Sequence, residues 1–203
     1  DGLIGAADSA TEGTISAKQL ATRPLLRPGE MLEVVPGVIV TQHSSDGKAN
    51  EYFLRGFNLD HGTDFLTTVN GMPVNQPTNA HGQGYADLNF LIPELVERVR
   101  YKKGPYSAEE GDFAAAGTAH LDYLRILPRN FAEIGIGEDG WRRTLLAGSP
   151  PAGGGTLLPG FGRYVLTASA DSPDTYGVTD FALGWFRASE DRVAGSRRVL
   201  VRW

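Results

Sequence analysis

The chain has no cysteine among its 203 residues. Disulfides, thiolate nucleophiles and cysteine-based zinc sites are therefore excluded. No stretch approaches the ~20 consecutive apolar residues of a membrane-spanning helix, a limit that leaves short alternating strands untouched. No long basic run occurs and the net charge is −5. A surface that tracks phosphates needs clustered Lys and Arg, so nucleic acid is not an expected partner. The four histidines, His43, His61, His81 and His120, show no His-Glu-x-x-His spacing. There is no Gly-x-Ser-x-Gly elbow, and Gly82-Gln83-Gly84 lacks the third glycine and preceding strand of a dinucleotide fingerprint. The chain starts at Asp1 without Met or a charged-then-apolar leader, so a removed signal peptide or a partial chain is expected.

What the chain does have is 26 glycines and 12 prolines, with a hydrophobic fraction of 41%. A core is within reach, and turns with short strands are favoured over a helical bundle. Residues 1–15 read as a mobile arm. A short helix is expected from Ser16, its cap, to Ala21, stopped by Pro24. A second fits Pro28 to Val35, with Pro28 at its first position and Glu30 and Glu33 at the positive end of its dipole. Strands are expected at Val38–Val40, Glu51–Phe57, Phe65–Val69, Met72–Val74, Glu97–Lys103 and Thr118–Leu127, with a short helix from Pro93 to Val96. Asn70-Gly71 marks a hairpin turn because both residues tolerate positive φ. Residues 75–87 form a long polar loop, a feature usually tied to function or disorder. After Pro128 the texture changes, with candidate strands at Phe131–Gly137, Tyr164–Ala170, Tyr176–Arg187 and Arg198–Trp203.

Four stretches, in order, resemble the plug of TonB-dependent outer-membrane receptors. They are Leu32-Glu33-Val34-Val35-Pro36-Gly37-Val38, Phe53-Leu54-Arg55-Gly56-Phe57, Val69-Asn70-Gly71-Met72-Pro73-Val74, and Ile92 to Val99 ending in Lys103-Gly104-Pro105-Tyr106. The resemblance implies an α+β fold: an arm over 1–23 with a TonB-contact region, a plug over 24–127 with short helices around a small central mixed sheet, and over 128–203 a few antiparallel strands of an incomplete transmembrane β-barrel. It also implies TonB as energising partner, contact with outer-membrane lipid through the barrel, a periplasmic N-terminus and a small-molecule or metal-chelate ligand. Iron-siderophore, another chelate, haem and cobalamin are the classes expected, with no cofactor and no enzymatic activity. Leu3, Ile4 and Gly5 are the nearest match to a TonB-contact segment, and Arg55, Arg98 and Lys103 are implied as a lock between plug and barrel wall. Lys103 stands where the family turn usually carries Arg, and Ala116 to Leu121 replaces its usual closing strand. A point charge cannot match the bidentate fork of a guanidinium, which weakens that part of the lock.

The ligand-facing candidates lie in loops: His43, Asp46, Asn79, His81, Gln83 and Tyr85. Loops gathered at one end would bring His43, His81 and Asp46 together, a donor set suited to Zn, Ni, Cu or Fe. The bland alternative is solvated loop side chains. Arg55 is expected on a strand between apolar neighbours, where burial would demand a partner such as Asp64, Glu97 or a barrel carboxylate. Two other functions compete: a soluble periplasmic binding module with a plug-like fold, and a metal enzyme using His43, His61 and His81, which must then lie within ~5 Å of each other with an open coordination position.

Overall fold

The computed structural model describes residues 9–25, 27–42, 48–124, 127–136, 142–148, 164–171, 181–187 and 199–202. The chain divides into two compact units, Asp1–Tyr123 and Leu124–Trp203.

The first unit opens with β1 (Glu12–Ser16), which runs into a single helical turn, α1 (Ala17–Leu20). Ser16 caps that turn, its Oγ accepting from the Gln19 N–H at 3.4 Å. The arm is thus shorter than the sequence implies. Glu12 to Ser16 pair antiparallel with Lys102 to Arg98, because Ile15 can reach the core beside Val99. The segment Pro28–Val34 is a 3₁₀ helix instead of an α-helix. Glu33 serves tertiary structure more than the helix dipole, accepting from the Val40 N–H at 3.2 Å and from Arg23 at 3.2 Å.

Next come β2 (Val38–Thr41), β3 (Glu51–Leu54) and β4 (Phe57–Asn58), an antiparallel sheet of three. The strand expected over Glu51–Phe57, broken by Gly56, is two strands joined by a tight turn at Arg55-Gly56, where φ is 52° and 83°. Two consecutive positive φ values define the turn whose twist suits a hairpin. The strand β5 (Phe65–Val69), β6 (Met72–Pro73), β7 (Val96–Lys103) and β8 (Gly117–Tyr123) complete a second sheet, ordered β1-β7-β8-β5-β6. Its only parallel pair is β5 with β8. A mixed sheet with few helices is therefore present, but the Arg55 hairpin lies in a sheet of its own and not in a single central one. The Asn70-Gly71 hairpin forms as expected, with φ of 53° and 79° and Val69 opposite Met72.

Burial follows from these pairings. Every residue of β5 is buried, as expected for a strand covered on both faces. In β7 a bulge between Val96 and Arg98 shifts the alternation by one residue. Val99, Tyr101 and Lys103 consequently share the inward face, and Lys103 is only 9% exposed.

Asn75, buried at the start of the long loop, spans several segments with one side chain. Its Oδ1 accepts from the Thr67 N–H at 2.7 Å. Its Nδ2 shares two hydrogens among the carbonyls of Gly62 (3.0 Å), Gly84 (3.0 Å) and Phe65 (3.2 Å). On the sheet, His120 of β8 bonds Thr68 Oγ1 through Nδ1 and Glu110 Oε2 through Nε2, each at 2.8 Å. Lys102 Nζ reaches Glu110 Oε1 at 2.8 Å.

The second unit is an antiparallel meander of β9 (Phe131–Ile136), β10 (Arg142–Gly148), β11 (Tyr164–Asp171), β12 (Phe181–Arg187) and β13 (Val199–Arg202). The sequence pattern marks four of these. β10 escapes it because Leu145-Leu146-Ala147 does not alternate. Ile134 and Ile136, on one face of β9, are 76% and 80% exposed.

Two predictions follow from the first unit's polar contacts. Asn75→Ala should remove the buried partner of the Thr67 N–H and of the Gly62 and Gly84 carbonyls, a loss of about 3 kcal/mol. Amide exchange at Thr67 should then accelerate roughly a hundredfold, 1.4 kcal/mol being tenfold. Unchanged exchange would count against that role. For Glu110, burial pushes the pKa up, but Lys102 and His120 outweigh it and hold the carboxyl below its ordinary value. A depressed carboxylate contributes stability above its unfolded pKa and loses it as pH falls through the folded one. The unit's stability should therefore decline on acidification below about pH 4.5, and Glu110→Gln should flatten that decline in a denaturant–pH series.

Candidate functional site

Between β4 and β5 the backbone turns sharply. Asp60 and His61 have φ of 34° and 64°, left-handed values unusual for residues with a Cβ. This conformation sends the His61 ring into the unit, where it is fully buried. The ring Nδ1 lies 2.7 Å from the Ala49 carbonyl oxygen. A carbonyl only accepts, so Nδ1 carries the proton and Nε2 is the remaining coordinating atom. Nε2 lies 3.3 Å from Glu51 Oε1.

The long loop closes over the same place. Ala86 N–H donates to the His61 carbonyl at 2.8 Å. Gly62 makes that approach possible: with φ at 106°, a Cβ there would sit 2.7 Å from the Ala86 Cβ. Gln76 and Tyr85 pair across the base of the loop, and Thr63 Oγ1 holds the Gln83 carbonyl at 2.6 Å. Asn79 donates to Gln76 Oε1 at 2.7 Å and accepts the His81 N–H at 2.8 Å, which fixes where His81 projects. Tyr85 Oη accepts from the Ala49 N–H at 2.7 Å, so one peptide segment is tied to both Tyr85 and His61.

Three rings meet as a result. The His61 and His81 centroids are 4.5 Å apart at 74°, with Tyr85 at 5.5 Å from the first and 5.9 Å from the second. Asp60, His61 and His81 each present one donor atom, all within 4.8 Å of one another. Asp60 and His81 are exposed, whereas His61 is not.

Of the residues picked from sequence, His81 and Tyr85 are thus brought together, Asn79 shapes the loop, and Gln83 is held through its backbone. His43, Asp46, Leu3, Ile4 and Gly5 lie outside the described residues. His61 was grouped only with the enzyme reading, yet it is the anchored member. The signal for it is Asp60-His61-Gly62 two residues before the strand Phe65–Val69.

The three basic residues expected as a lock differ from one another. Arg55 is exposed at a turn, not buried in a strand, because Arg55-Gly56 supplies the hairpin reversal. Among the described residues it has no carboxylate partner. Arg98 pairs with Asp122 at 2.8 Å, and Arg100 shares that carboxylate at 3.3 Å. Lys103 donates to the Pro36 carbonyl at 3.3 Å and lies over the Tyr101 ring at 5.6 Å. Burial first, then the nearby Arg55 cation, lowers its pKa.

Comparison with known proteins gives this geometry a context. Residues 6–118 match the family model of the TonB-dependent receptor plug domain. The siderophore receptor PirA from Pseudomonas aeruginosa superposes with a TM-score of 0.61 at 23% identity, over 93% of this chain and 34% of that one. The ferric yersiniabactin uptake receptor FyuA from Yersinia pestis gives 0.61 at 17%, over 91% and 30%. The copper transporter OprC gives 0.54 at 20%, over 93% and 30%. The chain thus spans about a third of the length of these structures. With more than half of its residues matched by that family model, the chain belongs to the TonB-dependent receptor plug family.

Proposed function

We propose that the chain serves as the plug and first barrel strands of an outer-membrane receptor that takes up a scarce ligand with energy supplied through TonB. The observation that carries this reading is the exposed apolar face of β9, with Ile134 and Ile136 outward on an antiparallel meander. Water-facing strands place polar residues there, whereas strands facing lipid tails require apolar ones. A soluble periplasmic module would have to cover that face. The similar structures are a siderophore receptor, an iron–yersiniabactin receptor and a copper transporter. They support an iron-siderophore or another metal-bearing ligand as cargo, ahead of haem or cobalamin.

In this reading TonB engages the segment holding Leu3, Ile4 and Gly5, just upstream of the edge strand β1. The N-terminus lies in the periplasm. Arg98 already has a carboxylate within the plug, so the lock to the barrel wall rests mainly on Arg55 and Lys103. A guanidinium at a hairpin tip can accept a carboxylate from outside with bidentate geometry.

The test is uptake by cells carrying the full receptor, with and without TonB, from a panel of radio-iron-loaded siderophores, haem and cobalamin. Uptake of at least one of them that requires both proteins is expected. TonB-independent uptake, or recovery of the protein in the soluble periplasmic fraction, would overturn the reading. Arg55→Ala in the same receptor should make the plug markedly more sensitive to added protease. An unchanged digestion pattern would remove Arg55 from the lock.

A further inference from the structure

We infer that Asp60, His61 and His81 form a binding site for a single divalent transition-metal ion of the zinc type. The site is independent of the uptake reading, since ion binding is a property of the folded chain.

Donor chemistry selects the ion class. Two imidazoles and a carboxylate suit zinc, nickel, copper(II) or iron(II). Calcium and magnesium prefer all-oxygen shells, and copper(I) prefers sulfur, which none of the three side chains offers.

Geometry selects the atoms. The Ala49 carbonyl commits His61 Nδ1, so Nε2 is the metal-binding nitrogen, with its tautomer set by a backbone acceptor. This is the usual arrangement for a metal-binding imidazole. On a tetrahedral ion with bonds of about 2.0–2.1 Å, two ligand atoms stand roughly 3.3 Å apart. Glu51, whose Oε1 lies 3.3 Å from His61 Nε2, would supply added negative charge next to the ion. The three donor atoms, within 4.8 Å of one another, are gathered by small rotamer changes of the exposed Asp60 and His81 around the fixed His61. Three protein ligands leave one tetrahedral position for water or for a donor atom of an incoming molecule.

The experiment is calorimetric titration of the untagged full chain with Zn2+, accompanied by visible absorption of the Co2+ form. One Zn2+ per chain is expected at micromolar Kd or tighter. His81→Ala and Asp60→Asn should each weaken it at least tenfold, and His81→Ala should abolish the tetrahedral Co2+ bands. His120→Ala, which alters a different cluster, should leave binding unchanged. His61→Asn should also lose the ion, but burial makes it a risk to folding, so the two exposed variants decide the matter. Absence of Zn2+ binding up to about 100 µM would overturn the site. So would wild-type affinity in both His81→Ala and Asp60→Asn. Either result leaves TonB-dependent uptake to stand or fall by its own assay.

Discussion

The carboxamide of Asn75 is the constraint on which the arrangement of the plug's loops depends. A single buried side chain accepts from β5 and donates to the turn after β4, to β5 and to the far end of the long loop. Each partner is a backbone group. Burial of such groups without hydrogen bonds costs far more than the bonds return in water, so the four contacts act as one latch. Because Gly62 and Gly84 are both held, the His61 turn and the Tyr85 arm of the loop cannot drift apart. The meeting of His61, His81 and Tyr85 is a consequence of that latch and of the Tyr85–Ala49–His61 chain of hydrogen bonds.

Much of the fold was legible in the sequence, for reasons that can be named. Asn70-Gly71 announces its hairpin because few other pairs tolerate two positive φ values. Ser16 announces a helix start because its hydroxyl can replace a missing acceptor. The features that were not legible depend on distant partners. Edge strand β1 is polar at alternate positions and gains its place only when β7 offers a register. The bulge in β7 has no sequence mark, yet it decides that Lys103 faces inward. Gly56 marks a break in the strand, but Arg seldom adopts positive φ, so a hairpin reversal at Arg55-Gly56 is not legible there. Asn75 was hidden for a different cause: an asparagine in a polar loop looks the same whether it faces water or gathers four backbone groups.

The charges divide into groups that are satisfied within the plug and groups that are not. Asp122 serves both Arg98 and Arg100 at the exposed face of β7, where solvent screening keeps the energy small. Glu110, Lys102, His120 and Thr68 form a chain across the sheet with each polar atom given a partner. Arg55 and Lys103 have no carboxylate partner among the described residues. Lys103 is the buried one of the two. It is buried against Pro36 and Tyr101 with a like charge nearby, and both circumstances disfavour its ammonium form. The Pro36 carbonyl and the Tyr101 ring are what the ammonium has in return.

The strained turn at Asp60-His61 poses the same question at the other polar cluster. Left-handed non-glycine residues cost of order 1–3 kcal/mol each and persist only where surrounding structure over-determines them. Here Gly62, Asn75, Ala86 and Ala49 all bear on the turn. Core packing alone would be served by an apolar residue in place of His61. What the strain secures is an imidazole whose tautomer and direction are fixed before anything binds, next to two exposed side chains that can still adjust. Fixing one ligand in advance lowers the ordering cost of capture, while leaving the others mobile keeps the ligand exchangeable.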